Sequence, residues 1–391
     1  MPPSVIPVVL AGICAFLTLF APQPILPLLA EVFHASKVMI ALTVTASTVG
    51  VALAAPVMGQ IADRVGRKHV IVASALTLGV ATLLTATSGN LWALLFWRFV
   101  QGVATPGVFS VTTAYVHDEW PAVRAASAIS AYVSGTIVGG FSGRVIVGFT
   151  AEHFGWHWAF VVLGCISLFI GAYLWVFLKP GKKFARPAEP SRIVNGILQH
   201  LRNKELVAAY SVGSCVLFSL TALFTYVTFH LAAPPYSLGS GLIGSIFVVY
   251  LVGAAVTPIA GRRMDRDGHR LMMIRAAIIG AVGALVSLIP NVWAVIAGLA
   301  ICSTGVFIAQ AAATSFVGVA AKSNRALALG LYVSFYYGGG SFGGTAPGWL
   351  WQRFGWPGCV ALVVAVQIVI ATLAWTMWAS GSQEHIAARS H

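Results

Sequence analysis

Apolar runs of about 20 residues recur from one end of this 391-residue chain to the other. Each is as long as a bilayer-crossing α-helix. In lipid, every backbone N–H and C=O must find its partner inside the segment, so repeated runs of this length dictate helices. The chain is 58% hydrophobic and only 8% charged, too few polar groups to cover a soluble domain of this length. The expected fold is therefore an all-α polytopic membrane protein. Twelve spans are expected, near Val5–Leu29, Ile40–Met58, Val70–Thr87, Leu91–Tyr115, Ala125–Thr150, Trp158–Leu178, Val207–His230, Gly241–Ala260, Leu271–Ile289, Val292–Val317, Ala326–Leu350 and Gly358–Trp378. The first run has no basic stretch before it, and it is expected to be a retained helix rather than a cleaved leader.

A polar segment divides the spans six and six. Between Lys179 and Lys204 lie seven basic residues and three prolines, with Ile193, Val194, Ile197, Leu198 and Leu201 at helical spacing. That pattern predicts a short amphipathic helix on the membrane surface. The expected domains are a bundle over 1–178, a linker over 179–206, a second bundle over 207–379 and a tail over 380–391. Placing both termini in the cytoplasm puts Arg64, Arg67, Lys68, Arg124, the linker cations, Arg262, Arg263, Arg266, Arg270, Arg275, Lys322, Arg325 and Arg389 inside, leaving Lys37 and Arg353 outside. Such a bias fixes orientation. It also accounts for the net charge of +13 without nucleic acid, because the cations sit in short loops rather than on one face of a domain. The five cysteines stand singly in apolar segments, without the spacing of a metal site or a disulfide framework. No cofactor or metal is expected.

The two halves repeat. Pro56, Gly59, Asp63, Arg64 and Gly66 return as Pro258, Gly261, Asp265, Arg266 and Gly268. Tyr132-Val133-Ser134 returns as Tyr332-Val333-Ser334. Gly139, Gly140, Gly143 and Gly148 return as Gly339, Gly340, Gly343 and Gly348, and Phe154-Gly155-Trp156 as Phe354-Gly355-Trp356. Six spans per repeat give both halves the same orientation, which suits a pseudo-two-fold axis along the membrane normal and transport by alternating access. Gly135, Gly139 and Gly143 lie four apart, leaving one helix face bare for close approach; Gly339 and Gly343 repeat the pattern.

The stretch from Gly59 to Lys68, GQIADRVGRK, resembles the signature between the second and third spans of the major facilitator superfamily. Arg98, Gln101 and Gly102 in WRFVQG resemble its fourth-span signature. The resemblance covers the whole chain and lies nearest the twelve-helix bacterial drug and metabolite efflux permeases. It implies two pseudo-symmetric six-helix bundles and a monomeric carrier in the inner membrane. It further implies a cytoplasmic gate of Gly59, Asp63, Arg64, Gly66, Arg67 and Arg124. There Asp63 caps the eleventh span near Asn324, Arg67 pairs with Asp118 or Glu119, and Asp265 does the equivalent work in the other half. In the fifth span the sequence departs from the family's antiporter pattern, with Gly140 in place of a proline and Arg144 in place of the last glycine.

Two arginines fall inside spans. Arg144 is expected either in a substrate cavity or in an ion pair or at the outer surface. Arg98, whose repeat counterpart is Leu299, is expected either in the cavity or as a brace between the first and fourth spans. Cations at such depth are costly unless they serve a purpose. None of the ten acids lies near the middle of a span, so the interior favours neutral or anionic ligands held by paired hydrogen bonds. Glu31 and His230 are the candidate proton carriers. Gln23, Gln101, Thr105, Tyr226, Tyr250, Gln310, Tyr336 and Tyr337 complete the candidate cavity, and Pro22, Pro24 and Pro27 must loosen the first span. The chain is thus expected to be a proton-coupled exporter of small amphipathic compounds. The alternative is uptake or flipping of an anionic metabolite or lipid head group. Membrane enzymology is disfavoured, since no acid–base pair, nucleophile cluster or ligand set lies within the spans.

Overall fold

The computed structural model describes residues 4–180, 190–321 and 324–378, so the tail over 380–391 and most of the linker before Pro190 lie outside the described residues. The chain is helical, with no strand among the described residues. In order, the elements are α1 (Ile6–Leu17), a 3₁₀ turn (Gln23–Ile25), α2 (Leu26–Val32), α3 (Lys37–Val65), α4 (Arg67–Ala86), α5 (Leu91–Glu119), α6 (Ala122–Phe154) and α7 (Trp156–Phe177). They continue with α8 (Pro190–Arg202), α9 (Lys204–Ala232), α10 (Ser240–Ile246), α11 (Val249–Asp267), α12 (His269–Val286), α13 (Val292–Ala320), α14 (Arg325–Thr345) and α15 (Pro347–Met377). Among the described residues, ten stretches are long and apolar enough to cross a membrane. The other two of the twelve spans are the first, assembled from α1, the turn and α2, and the eleventh, α14, whose glycines, serines and tyrosines dilute its apolar content.

Short polar residues set the starts. Ser36 Oγ accepts from the Met39 N–H at 3.2 Å, Asn90 from Ala93 at 2.9 Å, and Asn291 from Trp293 at 2.9 Å. Each satisfies an orphan donor of a helix first turn. Gly66 and Gly268 link α3 to α4 and α11 to α12 at φ of +101° and +82°, backbone that a side chain would strain. This is why the charged signature needs a glycine at that step.

Two spans are broken rather than continuous. The first stops at Leu17 and resumes at Leu26, because Pro22, Pro24 and Pro27 withhold the N–H groups that would carry it on. The eighth is interrupted at Phe247–Val248, with no proline at that point. The chain forms two compact units: Met1–Ala188 with Leu231–Phe247, and Glu189–His230 with Val248–His391. A division at the linker alone would leave α10 with the second unit. Instead α10 belongs with the first, where it packs on α6: a Cβ on Gly244 would come 2.7 Å from the Arg144 carbonyl oxygen.

Within the first unit, the bare face of α6 meets α1. Gly135, Gly139 and Gly143 abut the carbonyl oxygens of Val9, Ile13 and Leu17, leaving no room for a Cβ. In the second unit Gly339 and Gly343 of α14 abut Ser214 and Phe218 of α9 in the same way. The amphipathic α8 lies in the second unit, with Gly196 against Leu327.

Candidate functional site

Breaking the first span takes carbonyls out of the regular helical ladder, and Arg98 of α5 donates to them. Its Nη1 donates to Thr18 O at 2.8 Å and to Gln101 Oε1. Its Nη2 donates to Leu19 O and, at 3.0 Å, to Ser47 Oγ, and its Nε donates to Thr43 O at 3.0 Å. A guanidinium has five N–H donors, and five acceptors receive them. Gln101 extends the network, its Nε2 donating to Thr82 Oγ1 at 3.1 Å and Thr85 Oγ1 at 3.0 Å. Thr105 donates to the Gln101 carbonyl at 2.8 Å. Arg98 is 0% exposed. Of the two roles open to it from sequence, the geometry is that of a brace across the first four spans. Arg98, Gln101 and Thr105 therefore stand in the packed interior rather than on a cavity wall.

Arg144 is placed differently. It is 3% exposed, and its Nε donates to Gln23 Oε1 at 2.8 Å while Nη1 donates to the Gly140 carbonyl. The guanidinium lies over the Phe247 ring at 4.6 Å and near the Phe20 ring at 5.3 Å. Phe20 and Gln23 come from the break in the first span, Phe247 from the break in the eighth. Both interruptions thus converge on one cation in α6, with aromatic faces that favour it. Near the end of α6, Glu152 Oε2 accepts from the Gly241 N–H at 2.6 Å, closing the first turn of α10 with a carboxylate, the charge that a helix start favours. Phe20, Phe247 and Glu152 were not singled out from sequence. The prolines around Phe20 and the scarcity of acids were signals for the first and last; Phe247 had none.

In the second unit the aromatics gather. Tyr332 and Tyr336 stack at 5.8 Å, and Tyr336 meets Tyr337 edge-on at 5.4 Å. Tyr250 packs edge-on against Phe224 at 4.6 Å and against Phe307 at 5.6 Å. Tyr336 and Tyr337 are 6% and 4% exposed, and neither hydroxyl has a hydrogen bond among the described residues. Tyr226, in contrast, is fully packed, its hydroxyl reaching Thr345 O at 3.4 Å and its ring lying beside Trp351. It is an interhelical contact. Gln310 is half-buried. His230 is half-buried and stacks on Trp356 at 5.2 Å; Glu31 is exposed.

On the charged signature, Arg67 bonds Asp118 at 2.6 Å and lies 3.6 Å from Asp63, across the Gly66 step. Gly59 has open space around it; Arg64 and Arg124 are exposed. The side chain of Asp265 lies outside the described residues. The second unit instead pairs Arg275 with Asp267, and Asn324 caps α14 through its own side chain. Among the described residues, no three or more His, Cys, Asp or Glu side chains are placed to hold a metal ion.

A family model described as Major Facilitator Superfamily matches residues 8–249 and 232–388. The chain is 33% identical over 373 residues to the uncharacterized MFS-type transporter YybF of Bacillus subtilis (strain 168), covering 95% of this chain and 91% of that protein. It is 30% identical over 368 residues to the inner membrane transport protein YnfM of Escherichia coli (strain K12), covering 94% and 88%. A solved structure of the nucleoside transporter NupG superposes with a TM-score of 0.80 at 12% identity, over 96% of this chain and 100% of that one. At such identity the likeness is one of fold.

Proposed function

The chain belongs to the major facilitator superfamily, and from that premise we propose that it exports small amphipathic compounds, neutral or anionic, across a bacterial inner membrane in exchange for protons. Transport by alternating access follows from the family. The observation that carries the charge preference is Arg144, a cation buried in mid-span whose described hydrogen bonds go to the neutral oxygens of Gln23 and Gly140. A fixed positive charge in a medium of low dielectric repels cations and attracts anions. A guanidinium also offers the planar fork that carboxylates and phosphates fit.

The remaining roles follow from this reading. Both termini face the cytoplasm, as the loop cations require, and the carrier works as a monomer in contact with lipid. The Arg67–Asp118 pair, with Asp63, Arg64, Gly59, Gly66, Arg124 and Asp265, forms the cytoplasmic gate. Glu31 and His230 are the groups placed to exchange protons.

The test uses a host stripped of its own exporters and a panel of anionic, neutral and cationic amphiphiles. Growth inhibition is compared for the wild type, Arg144→Leu at equal expression and an empty vector. Protection against anionic or neutral compounds, lost in Arg144→Leu, is the expected result. Protection against cations alone would overturn the charge argument. No protection by the wild type would favour uptake or flipping of an anionic metabolite or lipid head group.

A further inference from the structure

The aromatic group of the second unit contains two donors that its packing does not need. Phenylalanine at 336 and 337 would stack and tilt against Tyr332 and against each other as tyrosine does. Neither tyrosine hydroxyl makes a hydrogen bond to the protein among the described residues, yet neither oxygen is fully enclosed, so both reach open space from residues that are otherwise buried. Buried polar groups are as a rule satisfied, by protein, by water or by a ligand. Nor does the repeat demand tyrosine: the positions matching Tyr336 and Tyr337 in the fifth span are Thr136 and Ile137.

From this we propose that Tyr336 and Tyr337, with Tyr250 near Tyr336 and Phe224 packed on Tyr250, form a subsite for a planar aromatic ring that bears an oxygen acceptor. Faces and edges of Tyr250, Phe224, Tyr336 and Tyr337 supply walls on which a flat ring packs better than an aliphatic chain. The two phenolic O–H groups donate to the ring's carbonyl, phenolate or carboxylate oxygen. Aromatic walls alone would also suit a quaternary cation, but a cation has no use for two donors. The inference deepens the proposed export of amphipathic compounds and rests on that reading for the route the ligand takes. It narrows the cargo to aryl compounds carrying oxygen.

The test measures equilibrium binding to the purified full-length chain in detergent. The probes are 2-naphthoate, decanoate as an aliphatic anion and N-methylquinolinium as an aromatic cation. Wild type is expected to bind 2-naphthoate about tenfold more tightly than decanoate, and the cation more weakly than either. Tyr336→Phe and Tyr337→Phe should each weaken 2-naphthoate about fivefold, the effect of one lost hydrogen bond, and leave decanoate unchanged. Each should unfold thermally no earlier than wild type, because no hydrogen bond within the protein has been removed. Tyr210→Phe is the control. It deletes a hydroxyl that, unlike those two, is fully enclosed and without a partner, on a ring stacked against Phe335, and should leave binding of all three probes unchanged.

Unchanged 2-naphthoate binding in the Tyr336→Phe/Tyr337→Phe double variant would overturn the proposal. So would equal affinity for the two anions, tightest binding of the cation, or no binding of 2-naphthoate by the wild type. Arg144→Leu separates this inference from the earlier one. If it leaves both anions unaffected while the phenylalanine variants weaken 2-naphthoate, the charge argument fails and the aromatic subsite stands.

Discussion

The fifth and eleventh spans, α6 and α14, are the same helix written twice, and they are used for different things. Both carry Tyr-Val-Ser followed by glycines at matching positions. Both press those glycines against a neighbouring backbone in one register, Gly139 on Ile13 and Gly143 on Leu17, Gly339 on Ser214 and Gly343 on Phe218. The neighbours then diverge. The first span breaks at Leu17, while its repeat mate α9 runs unbroken from Lys204 to Ala232. The broken span exposes carbonyls and is held by Arg98; the unbroken one needs no such brace, and Leu299 stands where Arg98 would be. At the height of the break α6 has Arg144, and α14 has Gly344. Where α14 has Tyr336 and Tyr337, α6 has Thr136 and Ile137. The packing frame is duplicated and the chemistry is not: cations gather in one unit and phenols in the other.

The hardest blow to this contrast falls on the brace. Arg98→Leu should destabilise the chain by about 3–5 kcal/mol or abolish its accumulation, because it removes five buried hydrogen bonds at once and leaves Gln101 Oε1 without its donor. Arg98→Lys should rescue little, since an ammonium cannot span the same fork. Thermal unfolding in detergent reads both, and a wild-type melting profile for Arg98→Leu would mean the break holds itself. Leu299→Arg should be comparably damaging, as a buried charge without a built network.

The shared frame is tested next. Gly139→Val and Gly339→Val should each cost a few kcal/mol by forcing apart helices already in backbone contact. Gly338→Ala, in open space, should stay within about 0.5 kcal/mol of wild type. A large difference between Gly139→Val and Gly339→Val would show that the two halves do not share the frame. Arg144→Lys sharpens the difference in chemistry: it keeps the charge but loses the fork, so anion affinity should fall by about tenfold while selectivity against cations persists. Binding of an anionic and a cationic probe by that variant reads the two effects separately. The smallest effect is expected at Glu152. Glu152→Gln replaces a charge-assisted bond to the Gly241 N–H with a neutral one, for about 1 kcal/mol. Hydrogen exchange over 240–246 should quicken several-fold, with little change in the melting of the whole chain.

Much of the fold was legible in the chain because the bilayer admits so few solutions. Run length leads directly to twelve helices, and the repeat leads to two like bundles. The stripe Gly135, Gly139, Gly143 announced a close approach, although not that α1 is the helix approached. The prolines at 22, 24 and 27 announced that the first span is disturbed, although not that it stops. For the site, the sequence flagged both arginines as exceptional and left each with two roles. It separated neither, because spacing tells which face a residue is on and says nothing of which acceptors stand opposite.

The sequence by itself determined what every residue must satisfy: helices of membrane length, a glycine where φ turns positive at Gly66 and Gly268, and a partner for each buried cation. Only the tertiary structure decided who the partners are. It gave Arg98 the carbonyls of a broken helix and Arg144 a glutamine and two phenylalanines from two different breaks. It also left the hydroxyls of Tyr336 and Tyr337 without an acceptor. The break at Phe247–Val248 belongs wholly to that second category. No residue there forbids a helix; α10 lies instead with the first unit, on α6 between Glu152 and Arg144. Its cause is contact with a distant part of the chain, and local sequence does not encode such contacts.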